Sequence, residues 1–202
     1  MEIFYATRNE GKIRSLQRHL HGSGITVIAA PLDIPEPRSD DVKEIAVAKV
    51  RYAHQHLQKP VVALDAGFYI SSLNGFPRAF VNFALETVGL EGILKLVEDK
   101  SRDCEFRECL AYVDGIDSEP RCFMGRVPGS ISSKQHGLMA PHLWSTLALI
   151  FVPEGCQKTL AQMSYDEYAD VRSRATRKNP SVGKLFSEWI MTKTDITDTN
   201  RE

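Results

Sequence analysis

Val61-Val62-Ala63-Leu64 is an unbroken apolar run set between Pro60 and the sequence Asp65-Ala66-Gly67. A run this short and this apolar, closed by small and acidic residues, reads as a buried strand. It sits among further strand-sized runs at 2–6, Ile25 to Ala30, Tyr69 to Leu73, Glu105 to Val113, 120–126, 129–133 and Leu147 to Val152. Between them lie helical stripes at 12–20, at Asp41 to Leu57 and over Phe80 to Lys100, the last broken near Gly89. Two more helices follow at 158–177 and 182–191. Strands alternating with helices predict an α/β fold. Pro31 to Arg38 carries three prolines and is read as a loop. Asn74-Gly75 is a hairpin turn signal.

The chain is read as one domain over 1–191 with a polar, frayed tail over 192–202. A hydrophobic fraction of 43% supplies a core, and a net charge of -1 gives no global field to draw nucleic acid or an acidic membrane. The N-terminus lacks the basic and apolar regions of a signal peptide, and no apolar run is long enough to span a bilayer. Cys104, Cys109, Cys122 and Cys156 show no Cys-x-x-Cys spacing and read as reduced thiols of a cytoplasmic protein. The six histidines, including the pairs His19/His21 and His54/His56, are spaced wrongly for a shared metal face on a helix.

Four groups of residues are candidates for chemistry, the last two of which a solvated helix face also explains. Thr7-Arg8-Asn9-Glu10-Gly11-Lys12 lies between a strand and a helix, where free N–H groups and the helix dipole favour an anion. Its glycine spacing is not that of a Walker loop, and a plain turn with an exposed lysine explains it equally well. Asp65 ends the apolar strand, and open α/β sheets bind ligands beyond the carboxyl ends of their strands. A carboxylate there suits a divalent cation, or simply caps the turn. Glu44 and Lys49 are five residues apart on one helix, roughly 140° around its axis, so they cannot share a face. Arg172-Ser173-Arg174 opens a basic stretch in which neighbouring arginines point different ways.

Together these segments resemble the inosine triphosphate and non-canonical purine nucleoside triphosphate pyrophosphatases. Ala6 to Lys12 is similar to that family's opening Ala-Thr-x-Asn-x-Gly-Lys. Asp65-Ala66-Gly67 and Leu73-Asn74-Gly75-Phe76-Pro77 resemble its acidic strand and Gly-x-Pro turn, and Gly125 to Ile131 its Gly-rich strand pair. The resemblance implies an elongated mixed central β-sheet with flanking helices, two lobes around a nucleotide cleft, and a homodimer. It implies cleavage of a nucleoside triphosphate to the monophosphate and pyrophosphate with Mg2+. Thr7, Asn9, Lys12, Lys49 and Arg174 would bind the substrate, Glu44 and Asp65 the metal, with Asp65, Lys12 and Glu44 as the catalytic set.

The departures are lopsided. Leu64 stands where the family has the first of two adjacent acids, and Ser15 replaces an acid on the first helix. Ser145-Thr146-Leu147-Ala148 replaces the purine-reading segment, removing its aspartate. Gln162, Tyr168, Arg172-Ser173 and Arg78 are further replacements. Phosphate handling is retained while base reading is rewritten, so altered base specificity is expected. A catalytically inactive nucleotide-binding relative is the other reading these replacements leave open. A different phosphate-ester substrate, or an anionic partner bound through Arg78, Arg172 and Arg174, is a third.

Overall fold

The computed structural model describes residues 1–199. A seven-stranded mixed sheet runs through it in the order β2-β1-β3-β5-β6-β7, with β4 (Pro77–Arg78) paired to β3 alone. Strands β1 (Glu2–Tyr5) and β2 (Thr26–Ala29) are parallel to each other, and β1 is parallel to β3 (Val61–Ile70). β5 (Asp103–Val113), β6 (Arg121–Ile131) and β7 (Phe151–Pro153) continue the sheet antiparallel. Helices α1 (Glu10–His19), α2 (Val42–Leu57), α3 (Val81–Thr87), α4 (Gly89–Leu96), α5 (Tyr165–Lys178) and α6 (Val182–Thr199) flank it.

The helix starts are set by local chemistry. Asn9 caps α1 by accepting the Lys12 N–H, and Asp41 caps α2 by accepting that of Lys43. Ser164 and Glu167 form a reciprocal capping box at α5. Each such cap contributes about 1 kcal/mol. Gly89, at φ +69°, separates α3 from α4, a backbone conformation that costs glycine nothing.

Strand alternation divides the interior. Val62, Leu64, Leu110, Tyr112 and Phe123 face α1 and α6, packing on Leu16, Leu20, Phe186 and Ile190. The opposite face, with Val61, Ala63, Cys109 and Ala111, packs on Ala46, Val50 and Ala53 of α2. A third cluster around Phe68, Ile93, Leu147 and Phe151 forms the core of the far lobe.

Some elements differ from their sequence reading. Tyr69 is not in a separate strand: β3 runs to Ile70, a short 3-10 turn covers Ser71–Leu73, and Asn74 turns the chain in the left-handed region. The two short strands expected at 120–126 and 129–133 are one strand, β6. Pro128 does not interrupt it, because its carbonyl accepts from Glu154 on the β7 side. The missing N–H points to that same side and leaves the β5 ladder whole. Leu147 to Val152 is mostly not a strand. Ser145 accepts the Leu147 N–H and starts a 3-10 turn over Thr146–Leu149, and only Phe151–Pro153 pairs with β6. An unbroken apolar run marks burial without specifying backbone. The helix expected at 158–177 is a short turn at Leu160–Gln162 followed by α5. α6 runs on to Thr199, past residue 191, and 200–202 lie outside the described residues.

Candidate active site

β1 is short and β3 is long, and that mismatch makes the site. β1 pairs with β3 only at Val61 and Val62, and β4 takes up the same edge at Phe68. Between them, Ala63 to Gly67 has no strand on that edge among the described residues. Asp65 sits in the middle of this notch. The start of α1 and the proline-rich segment before α2 close over it, bounding a cavity of about 530 Å³.

Asp65 has the parity of Ala63, so its side chain leaves the sheet toward α2 and meets Lys49 there. Lys49 Nζ lies 3.3 Å from Asp65 Oδ1 and 2.7 Å from Glu36 Oε1. Both the Lys49 and Asp65 side chains are largely buried, at 14% and 12% exposure. Burial raises the Asp65 carboxyl above its ordinary value, against the opposing pull of Lys49 and Lys12. Lys12, from the first turn of α1, is pushed down by burial and then by the like charge of Lys49, while Asp65, Glu108 and Glu36 pull it up.

Of the residues expected at the site, Asn9, Lys12, Lys49, Asp65 and Arg174 all line this cavity. Thr7 does not line it. Its Oγ1 accepts the Asn9 N–H at 3.1 Å and shapes the turn that presents Asn9. Glu44 is not brought to Asp65. It is exposed, accepts from Ser39 Oγ at 2.8 Å and is absent from the cavity wall. The five-residue spacing explains this: with Lys49 turned inward, Glu44 must turn out. Arg78 is held by Asp40 and by the Asn74 carbonyl, away from the cavity wall, whereas Arg172 lines it beside Arg174.

Three participants were not singled out from the sequence. Glu36 lies between Pro35 and Pro37, and the prolines marked a loop without marking its acid. Glu108 shares the parity of Leu110 and Tyr112, so a charged residue in an apolar register was the available signal. Trp144 lies on the α1 start. A Cβ on Gly11 would stand 3.0 Å from the indole Nε1, so a larger residue there would crowd the ring. Arg172 covers the same ring, its guanidinium carbon 5.8 Å from the ring centre.

The other end of the cavity is apolar, with Phe106, Val127, Ala148, Phe151 and Leu160 in its wall. One end therefore gathers two lysines, three carboxylates and a helix N-terminus, and the other is richer in apolar side chains. Asp65, expected at the end of its strand, lies in the middle of β3, and it is the carboxyl end of β1 that opens into the cleft. The fold and this division define an α/β protein whose cleft suits an anionic group joined to an apolar one.

The chain belongs to the Ham1 family, whose model it matches over residues 3–178. It is 33% identical over 190 residues to a dITP/XTP pyrophosphatase of Methanopyrus kandleri, covering 94% of this chain and 96% of the relative. The corresponding protein of Thermococcus kodakarensis is 30% identical over 193 residues, covering 94% and 97%. Among solved structures, the Ham1 protein of Staphylococcus aureus superposes with a TM-score of 0.75 at 25% identity, covering 96% of this chain and all of that one. Among the described residues no helix is long and apolar enough to cross a membrane.

Proposed function

We propose that the chain is a nucleoside triphosphate pyrophosphatase, releasing the monophosphate and pyrophosphate, with magnesium as its cofactor. The observation that carries this reading is the convergence of Glu36 and Asp65 on one ammonium, that of Lys49, beside the start of α1. The names of the relatives support it.

Two carboxylates whose oxygens reach one point fit a hard cation that keeps waters and takes its other ligands from phosphates. Glu36 and Asp65 would hold it, rather than the Glu44 and Asp65 pair suggested by the sequence. When bound, such a cation supplies charge to the phosphoryl oxygens and acidifies a coordinated water.

The protein's own groups do the rest. The α1 N-terminus, Asn9 and Lys12 bind the phosphates, and Lys49 neutralises charge at the point of cleavage. Asp65 orients the attacking water and accepts its proton, and burial makes it a stronger base than an ordinary carboxylate. Arg174 contacts the substrate from α5.

The base preference differs from that of the dITP/XTP pyrophosphatases. Ala148 stands in the wall where the family resemblance implies a base-reading aspartate, with Ser145, Tyr168 and Asn179 as the polar groups nearby in the lining, and an exchanged partner changes discrimination by orders of magnitude. Magnesium as the particular ion and a homodimer are carried over from the family resemblance, and a cytoplasmic location from the spacing of the cysteines.

The test is pyrophosphate release from a panel of standard and deaminated nucleoside triphosphates, with and without magnesium, with Asp65→Asn as control. Metal-dependent release that the variant loses is the expected result. A folded wild-type protein that releases nothing from any member of the panel overturns the reading.

A further inference from the structure

Glu108 is a largely buried acid that opens onto a cavity. It is 7% exposed, and among the described residues its carboxylate makes no hydrogen bond or ion pair. Buried charges are ordinarily paired, because desolvation is otherwise uncompensated. Its position in the ladder explains how it is accommodated. Glu108 lies opposite Ala66 on β3 and Gly125 on β6, two residues that leave space above the sheet. A Cβ on Gly125 would come within 3.8 Å of Glu108 Oε2 and 2.9 Å of Val182 Cγ1, so this space is filled by the Glu108 carboxylate and the start of α6. The side chain leaves the sheet on the α1–α6 face, opposite to Asp65.

On that face Glu108 lines both the main cavity and a small one behind it. Lys12 also lines both. The small cavity is walled by three basic side chains, Lys12, His19 and Arg172, and Glu108 is the sole carboxylate in its wall. Ser15 and Leu64 face it as well, and neither carries charge. The other acids near Lys12 are committed elsewhere: Glu36 and Asp65 are both engaged by Lys49.

We propose that Glu108 is a positioning residue, the standing counter-charge that keeps Lys12 cationic and turned toward the phosphates. The inference deepens the pyrophosphatase reading and rests on it for the role of Lys12. Without Glu108, the half-buried Lys12 would face Lys49 and Arg172 with only shared acids to offset them. The titratable and charged groups around Lys12 are Lys49 on α2, Asp65 on β3, Glu36 in the proline-rich segment, Arg172 on α5 and Glu108 on β5, with buried Tyr5 on β1 and His19 on α1, which burial and its cationic neighbours hold toward the neutral form. Of these, Glu108 alone is both acidic and otherwise unpaired.

The test reads Lys12 directly, in the full chain without nucleotide. The protein is labelled with 13C at the lysine ε-carbons, the Lys12 signal is assigned by its loss in Lys12→Arg, and its titration is followed in wild type, Glu108→Gln and Glu108→Asp. The expected result is a fall of about one pH unit in the Lys12 midpoint in Glu108→Gln, tenfold in the protonation equilibrium. Partial recovery is expected in Glu108→Asp. In turnover, the alkaline limb of the rate profile moves to lower pH in Glu108→Gln. That limb flattens in Lys12→Arg/Glu108→Gln, because arginine keeps its charge unaided.

An unchanged Lys12 midpoint in folded Glu108→Gln overturns the proposal. So does a variant in which Lys12 titrates normally but the preference between ribo- and deoxyribonucleotides changes, which assigns the carboxylate to the sugar. Failure of the pyrophosphatase reading is separate: wild type then turns over no triphosphate, while the Lys12 titration still decides the role of Glu108.

Discussion

Lys49→Met removes the cation that two carboxylates share and leaves the apolar stem in place. Breaking a buried pair by deleting one partner costs about 3–5 kcal/mol, because a buried charge is left uncompensated. Here Glu36 is 61% exposed and recovers solvent, and Lys12 remains near Asp65, so we expect roughly 2–4 kcal/mol, below the full range. A chain of 202 residues loses about 2–4 °C per kcal/mol, so the melting temperature should fall by about 4–16 °C at neutral pH. The pH dependence gives the sharper test. Burial already raises the Asp65 carboxyl, and loss of Lys49 raises it further. Between the unfolded and the raised folded value, the native state binds the extra proton, so stability falls as pH rises through that window. The deficit of Lys49→Met relative to wild type is therefore full above the folded value and shrinks on acidification. Differential scanning calorimetry of both proteins at about pH 8 and about pH 5 measures it. Asp65→Asn in the Lys49→Met background should restore most of the loss. An equal deficit at both pH values, or no rescue by Asp65→Asn, would refute the charge-pair argument.

Two further expectations concern the cleft. Glu36→Gln should lower turnover roughly 10²-fold, the scale of removing one preorganised charge-stabilising group, whereas Glu44→Gln, lying outside the cavity wall, should stay near wild type in the same steady-state assay. Gly67→Ala should cost about 1–3 kcal/mol in a denaturant titration, because its Cβ would stand 2.6 Å from the Arg78 carbonyl oxygen and 2.9 Å from the carbonyl carbon, both backbone atoms that have little room to yield.

Much of this architecture was legible in the sequence, for a reason that also sets the limit. Periodicity reports which residues are buried, and it placed α1, α2, the α3–α4 break at Gly89 and the β3 and β5 strands. It fails where burial and backbone part company, as in Leu147 to Val152, whose apolar side chains pack equally well from a 3-10 turn. The anion-binding end could be read because Asn9 and Lys12 stand at the start of α1, where local sequence signals geometry, whereas Asp65 was legible only as an acid after an apolar run and lies in mid-strand. Glu44 and Glu36 could not be told apart in that way. Which acid reaches Asp65 depends on how a proline-rich segment folds back over α2, and no local pattern encodes that. Glu108 had a signal, its charge in an apolar register, but its meaning required knowing that Lys12 sits across from it.

The strands that carry the site also limit how the molecule can move. β3 and β5 stay paired from Val61↔Val113 to Ile70↔Cys104, and β5 and β6 from Tyr112↔Arg121 to Asp103↔Ser130. Both lobes are thus threaded on the same three strands, which act as a beam beneath the cleft rather than a hinge between its walls. Folding one lobe onto the other would bend a hydrogen-bonded ladder along its whole length. Motion around a ligand is left to pieces that rest on the beam, such as α5 and the segment carrying Trp144. The spacing between the charged end and the apolar end is then set by the sheet itself, and a ligand that touches both must match it in length.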